Sequence, residues 1–182
     1  MRVDSIEGVV VLVNPVYDDE WGYFREWFKE SSDLSKTNKI GNFVQGNHSR
    51  SAKNVLRGIH FSESLRGQEK LVTCIRGQIL DVVVDLRPNS KDFGNHMTIV
   101  LSEGDGKSLY IPHGLGHAFL SQSDFADVIY LVTSDYDPAY EKVINPLDSY
   151  IAVDWGSSKF ILSKKDRDGY SFKDYRNEKG NE

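Results

Sequence analysis

Only one cysteine, Cys74, stands among 182 residues, so neither an intramolecular disulfide framework nor a Cys-rich zinc site can be built. It sits in the apolar stretch Leu71-Val72-Thr73-Cys74-Ile75, the setting of a buried inert thiol. No apolar run approaches the roughly 18 residues that span a bilayer. The start, Met1-Arg2-Val3-Asp4, lacks the apolar block of a secretory signal. Basic excess is missing too: 22 Lys+Arg against 27 Asp+Glu leave a formal charge of −5. Whole-surface attraction to nucleic acid or to an anionic membrane is thereby excluded, while a local basic pocket is not. There is no internal repeat and no low-complexity linker. The expectation is one cytoplasmic domain over residues 1–182.

What is present is mostly short β-type segments punctuated by Gly, Asn, Asp and Pro. Val9–Val13 is a β-branched run closed by Asn14-Pro15. Lys70–Ile75 and Ile79–Leu86 flank Arg76-Gly77-Gln78 and read as a hairpin. Met97–Leu101 and Ser108–Ile111 flank a Gly-containing turn and read as a second. Val128–Thr133 and Tyr150–Val153 add strands. Many closely spaced strands without alternating helices predict an all-β, antiparallel sandwich or barrel. Trp21, Phe24, Trp27 and Phe28 have helical spacing, with Glu26 and Lys29 as an i,i+3 pair, but the same stretch also suits an aromatic strand. The polar end from Arg167 reads as a peripheral helix or a frayed terminus.

Several segments carry chemistry. In Gln45-Gly46-Asn47-His48-Ser49-Arg50-Ser51 the polar residues alternate, so Gln45, Asn47, Ser49 and Ser51 share one strand face. That face is either a solvated edge or the polar wall of a ligand cavity. Arg57 and His60 lie among apolar neighbours in Val55-Leu56-Arg57-Gly58-Ile59-His60-Phe61, where an unpartnered charge is costly. With Lys70 they make three cations in an acidic chain, suited to a diphosphate or a developing oxyanion, or else to surface carboxylates. Asp81 and Asp85 share a face of an otherwise apolar strand, either orienting Arg57, Lys70 or His60 or forming ordinary salt bridges. In Pro112-His113-Gly114-Leu115-Gly116-His117 the glycines permit tight turns, with His117 in a pocket and His113 at its rim. Metal ligation by His60, His113, His117 and Glu63 is disfavoured, because Pro and Gly interrupt the helical spacing that an i,i+4 His pair needs. Tyr130 is core filler or an acid facing a His.

Taken in order, Gln45-x-Asn47-x-Ser49-x-Ser51, Val55–His60, Lys70-Leu71-Val72, Asp81–Arg87, Ser90–Gly94, Ile111-Pro112-x-Gly114-x-x-His117, Tyr130 and Ser163-Lys164-Lys165-Asp166 closely resemble the dTDP-4-dehydrorhamnose 3,5-epimerase family. The resemblance runs from about residue 9 to 169 and leaves 170–182 as a polar tail. It implies a cupin-like jelly roll with a few short peripheral helices, a homodimer, and no metal or organic cofactor. The implied reaction inverts C3, C5 or both of a nucleotide-linked 4-keto-6-deoxy sugar through an enolate. His60 then matches the base, Asp166 its orienting carboxylate, Lys70 the cation at the enolate oxygen, and Tyr130 the acid on the opposite face. Gln45, Asn47, Ser49, Arg57, His117, Glu141 and Glu26 match substrate-binding positions. The segment Asp19–Glu26 also matches, which favours strand over helix there. Three positions depart from the family pattern: Trp21 stands for a usual Arg, Ser62 for a Gln and Ala118 for a Gly. A keto-isomerase and a non-catalytic sugar-binding cupin are the rival readings.

Overall fold

The computed structural model describes residues 1–29, 42–64 and 67–179. Its strands are β1 (Val10–Val13), β2 (Tyr17–Asp19), β3 (Gly22–Phe24), β4 (Gln45–Ala52), β5 (Leu56–Ser62) and β6 (Lys70–Arg76). They continue with β7 (Gln78–Asp85), β8 (His96–Ser102), β9 (Lys107–Ile111), β10 (Leu115–Ser121), β11 (Phe125–Val132) and β12 (Glu141–Val143). Two short helices follow, α1 (Lys164–Arg167) and α2 (Phe172–Lys179). One five-stranded sheet has the order β1-β9-β6-β11-β4 and the other β12-β5-β10-β7-β8. Every pairing within them is antiparallel. Across the eight strands β4–β11 the pairs nest as β4 with β11, β5 with β10, β6 with β9 and β7 with β8, the connectivity of a jelly roll.

That nesting overturns both expected hairpins. β6 and β7 lie in different sheets, as do β8 and β9, so Gly77 and the Ser102–Lys107 turn are corners between sheets. Gly77 has φ +71, and an added Cβ would meet the Phe125 carbonyl at 2.2 Å. A glycine turn marks where the chain reverses, not which sheet receives it. Two further differences follow from burial. Tyr150–Val153 forms turns and no strand, its backbone held by Asp148 through bonds to Tyr150 N and Ile151 N. Pro112–His117, where the glycines permit tight turns, runs into a wholly buried strand, Leu115–Ser121. Gly116 is needed there because a Cβ would lie 2.4 Å from Ile59 and 3.0 Å from Leu86.

The facing sides of the sheets enclose one apolar cluster, with Val72, Cys74, Leu109 and Val128 from the first sheet and Val83, Leu101 and Phe119 from the second. Cys74 is buried, and its thiol is pushed up to about 11 by that burial, as expected of an inert side chain. β7 reads as a near-continuous apolar run because both its faces are covered. Ile79 and Val83 face the other sheet, while Val82 and Val84 pack under the C-terminal segment. There Ile144, Ile151, Trp155, Phe172 and Tyr175 form a second cluster. The expected polar tail thus supplies two core aromatics, and the Tyr175 hydroxyl donates to the Leu86 carbonyl at 2.9 Å. Burying each ring is worth about 2–3 kcal/mol, which is why this end docks instead of fraying. Residues 180–182 of that tail lie outside the described residues. A third cluster, Leu12, Leu71 and Tyr110, sits on the outer face of the first sheet beneath Trp27, Phe28 and Phe43. Gly22–Phe24 is a strand, as the resemblance favoured; Arg25–Lys29 is neither helix nor strand.

Candidate active site

The polar alternation of β4 faces inward: Gln45, Asn47, Ser49 and Ser51 are each less exposed than their neighbours. β4 and β11 form one wall and β5 and β10 the other, so side chains from both sheets converge between them. A cavity of about 310 Å³ opens there, lined by Gln45, Asn47, Arg57, His60, Lys70, Tyr130, Glu141 and Asp166. An inner chamber of about 110 Å³ adjoins it, lined by Ser49, Arg57, His60, Lys70, His117, Phe119 and Tyr130. His60 and Tyr130 border both spaces from opposite sheets.

His60, on β5, is held by Asp166. Its Nε2–H donates to Asp166 Oδ1 at 2.5 Å. A carboxylate only accepts, so in the neutral imidazole the proton resides on Nε2 and Nδ1 keeps a free lone pair. Asp166 is itself fixed by a helix cap. Ser163 precedes α1 in extended conformation, its Oγ accepts from Asp166 N at 3.0 Å and donates to Asp166 Oδ2 at 2.8 Å. Burial pushes the Asp166 carboxyl up, but the His60 hydrogen bond and charge, with Ser163 and Arg57, bring it below the usual carboxylate range. Asp166 is therefore ionised and suited to steady an imidazolium.

Lys70 opens β6 and is buried, which pulls its ammonium below the ordinary lysine range against the opposing charges of Glu141 and Asp81. Tyr130 is raised above the usual phenol range by burial and then by Glu141, with Arg57 opposing; at neutral pH it is a proton donor. Arg57 reaches across to β4, donating from Nε to Ser51 Oγ at 2.9 Å and from Nη2 to the Arg50 carbonyl at 3.2 Å. Gln45 donates to Asn47 Oδ1 at 2.7 Å and accepts from Tyr136 N at 3.1 Å.

The paired carboxylates of β7 part company. Asp81, fully buried, accepts from His117 Nε2 at 2.8 Å, while its other oxygen has no hydrogen-bond partner among the described residues. Burial raises its carboxyl, against His117 and Lys70. Asp85 instead makes the ordinary bridge, accepting from Arg87 Nε at 3.0 Å and from Ser90 Oγ at 2.6 Å. His113 is exposed and lines a separate cavity with Phe61, Arg87 and Lys179, away from His117. Glu26 borders neither of the two spaces described. Its carbonyl accepts from Asn14 Nδ2 at 3.0 Å and its carboxylate meets Lys29 at 3.8 Å. The next residues, Trp27 and Phe28, pack on the outer face of the first sheet, so Glu26 lies on the side away from the interior. Trp21, 91% exposed at the β2–β3 tip, also borders neither space. Among the described residues no group of three His, Cys, Asp or Glu side chains is arranged to hold a metal ion.

Four polar residues lining the larger cavity were given no site role from the sequence: Gln68, Tyr136, Ser163 and Lys165. Ser163 and Lys165 lie within the Ser163–Asp166 motif and were legible as its neighbours. Gln68 and Tyr136 sit in loops whose composition carries no periodic signal.

Comparison with known proteins identifies the family. A sequence model of the dTDP-4-dehydrorhamnose 3,5-epimerase family matches residues 4–174. The chain belongs to that family. The dTDP-4-dehydrorhamnose 3,5-epimerase of Escherichia coli (strain K12) is 44% identical over 163 residues, covering 89% of this chain and 88% of its own. A 4-keto-6-deoxy sugar epimerase from the novobiocin biosynthetic gene cluster of Streptomyces spheroides superposes with a TM-score of 0.93 at 35% identity, over 98% of this chain and 89% of that one. A 3'-monoepimerase from Streptomyces bikiniensis, solved with dTDP-quinovose, has a TM-score of 0.88 at 35% identity, over 94% and 87%. The chain is thus an isomerase-class member of a family acting in deoxysugar biosynthesis.

Proposed function

We propose that this protein inverts C3, C5 or both of a dTDP-linked 4-keto-6-deoxy sugar, using its own side chains as acid and base. The observation that carries the reading is the shared compartment: His60 and Tyr130, from opposite sheets, border the same two spaces together with Lys70. Inversion at a carbon beside a carbonyl needs a base on one face of the enolate and an acid on the other. His60 Nδ1 takes the proton, Asp166 steadies the resulting imidazolium, and Lys70 faces the C4 oxygen as charge develops there. The Tyr130 phenol then delivers a proton to the opposite face. Arg57, Gln45 and Asn47 hold the diphosphate and nucleotide in the larger cavity, with Glu141 beside Lys70 and Tyr130. Ser49 and His117 line the inner chamber and so take the sugar.

A second copy completes the proposal. The β2–β3 hairpin leaves Tyr17, Trp21 and Phe24 exposed, and Val13 on edge strand β1 is exposed too; a homodimer would cover them, and sedimentation velocity should give twice the chain mass. With no disulfide and one buried thiol, the setting is the cytoplasm. Among the described residues no helix is long and apolar enough to cross a membrane.

The test is product stereochemistry. Incubation with dTDP-4-keto-6-deoxyglucose should yield a product whose NMR couplings report inversion at C3, C5 or both. A product whose carbonyl has moved while every centre keeps its configuration would make it a keto-isomerase; binding without any product would leave a non-catalytic cupin.

A further inference from the structure

The inner chamber has an uneven chemistry. Every side chain lining it carries a polar atom except one, Phe119. Ser49 Oγ, on the facing sheet, is buried without a hydrogen-bond partner among the described residues, so polar groups await the hydroxyls of a ligand. Phe119 is a fixed wall. It lies on β10 between β5 and β7, is 5% exposed, and its ring centroid sits 6.3 Å from that of His117.

The proposed substrate has one apolar substituent, the C6 methyl, bonded to C5. The C4 oxygen faces Lys70 and C5 lies between His60 and Tyr130, so the methyl, one bond from C5, falls inside this same small chamber. We propose that Phe119 seats the C6 methyl and is the residue by which the site rejects sugars that keep a C6 hydroxyl. A hydroxyl pressed against that ring gives up water and gains no partner. Discrimination of this kind, an apolar wall against an added hydroxyl, reaches about 100-fold at most. The inference rests on the epimerase reading and deepens it by naming what reads the deoxy position.

The experiment is calorimetric binding of three unreactive ligands, dTDP, dTDP-6-deoxyglucose and dTDP-glucose, the last two differing by a single hydroxyl. Wild type should bind the 6-deoxy sugar about 10- to 100-fold more tightly than dTDP-glucose. Phe119→Ala, which lets water reach the C6 position, should reduce that ratio to about 3-fold or less while dTDP binding is kept; Phe119→Leu, still apolar, should retain most of it. Equal affinity of wild type for the two sugars overturns the proposal, and so does Phe119→Ala with an unchanged ratio. Should Phe119→Ala lose dTDP binding through misfolding, Phe119→Leu decides, since equal binding of both sugars by that variant also overturns it. Failure of all three ligands to bind wild type would instead bring down the epimerase reading itself.

Discussion

Replacing Asp166 by Asn isolates the part of the mechanism that the geometry defines most tightly. The change keeps the side chain's shape and one oxygen to accept from His60 Nε2–H, with the Ser163 hydroxyl turned to accept from the amide, but removes the charge that faces His60 at 2.5 Å. A base must start as the neutral imidazole, and in that state the loss is modest. Once His60 has taken the substrate's proton it is an imidazolium, and the missing bond is charge-assisted, worth about 1.5–3 kcal/mol. At about 1.4 kcal/mol per decade, that is a fall of roughly 10- to 150-fold in the abstraction rate. The assay is solvent deuterium entering C3 and C5 of dTDP-4-keto-6-deoxyglucose, followed by NMR, beside a denaturation curve to show that the variant is folded. KM should change little, because the interaction gained belongs to the transition state and not to the bound substrate. A folded Asp166→Asn enzyme exchanging within about 2-fold of wild type would refute the argument that this carboxylate stabilises the charged base.

Other consequences are equally direct. Tyr130→Phe removes the returning acid but not the base, so deuterium exchange should survive better than inversion, and equal loss of both would count against the assignment. Gly58 has φ +117, and an added Cβ would stand 2.5 Å from both the His117 carbonyl and Ala118 Cβ; Gly58→Ala should cost about 1–3 kcal/mol in urea unfolding, and a variant as stable as wild type would contradict it. His96 is buried, its Nδ1 has no partner among the described residues, and burial first, then the N-terminal amine, lower its pKa from 6.5, with the Ile151 backbone opposing and Arg2 lowering it further. A folded-state pKa below the unfolded one means the unfolded chain binds the extra proton. This contribution is therefore complete above about pH 6.5 and declines as pH falls toward the folded value. His96→Gln should lose less stability than wild type between pH 7.5 and pH 5.5, and matching losses would remove His96 from the account.

How far the chain could be read depended on where the decisive information lies. Strand positions were legible wherever one residue type repeats locally: the polar alternation of β4, the β-branched run of β1, the apolar run of β7. Which strands pair was not, because Gly77 forms a corner between sheets with the same local chemistry it would use in a hairpin. β10 was hidden by its composition, since Gly116 and His117 look like loop residues until Ile59, Leu86 and Asp81 are placed around them. The jelly-roll topology came from the resemblance alone; periodicity stopped at an antiparallel sandwich or barrel. Within the site, His60, Lys70, Tyr130 and Arg57 were nameable by residue type, while Asp166 came from the resemblance alone. The partner of Asp81 was not, because it lies on β10, 36 residues along the chain. Glu26, a motif position, is carried by the fold to the outer face of the first sheet, apart from the two spaces within its own chain.

The central claim is that the pocket moves a substrate proton between solvent and carbon by way of His60. It is met most directly by running wild type and His60→Ala in deuterated water with dTDP-4-keto-6-deoxyglucose and following C3 and C5 by NMR. The account predicts deuterium at one or both carbons with wild type and none above the uncatalysed rate with His60→Ala. Full exchange by the alanine variant, or none by wild type, would contradict it.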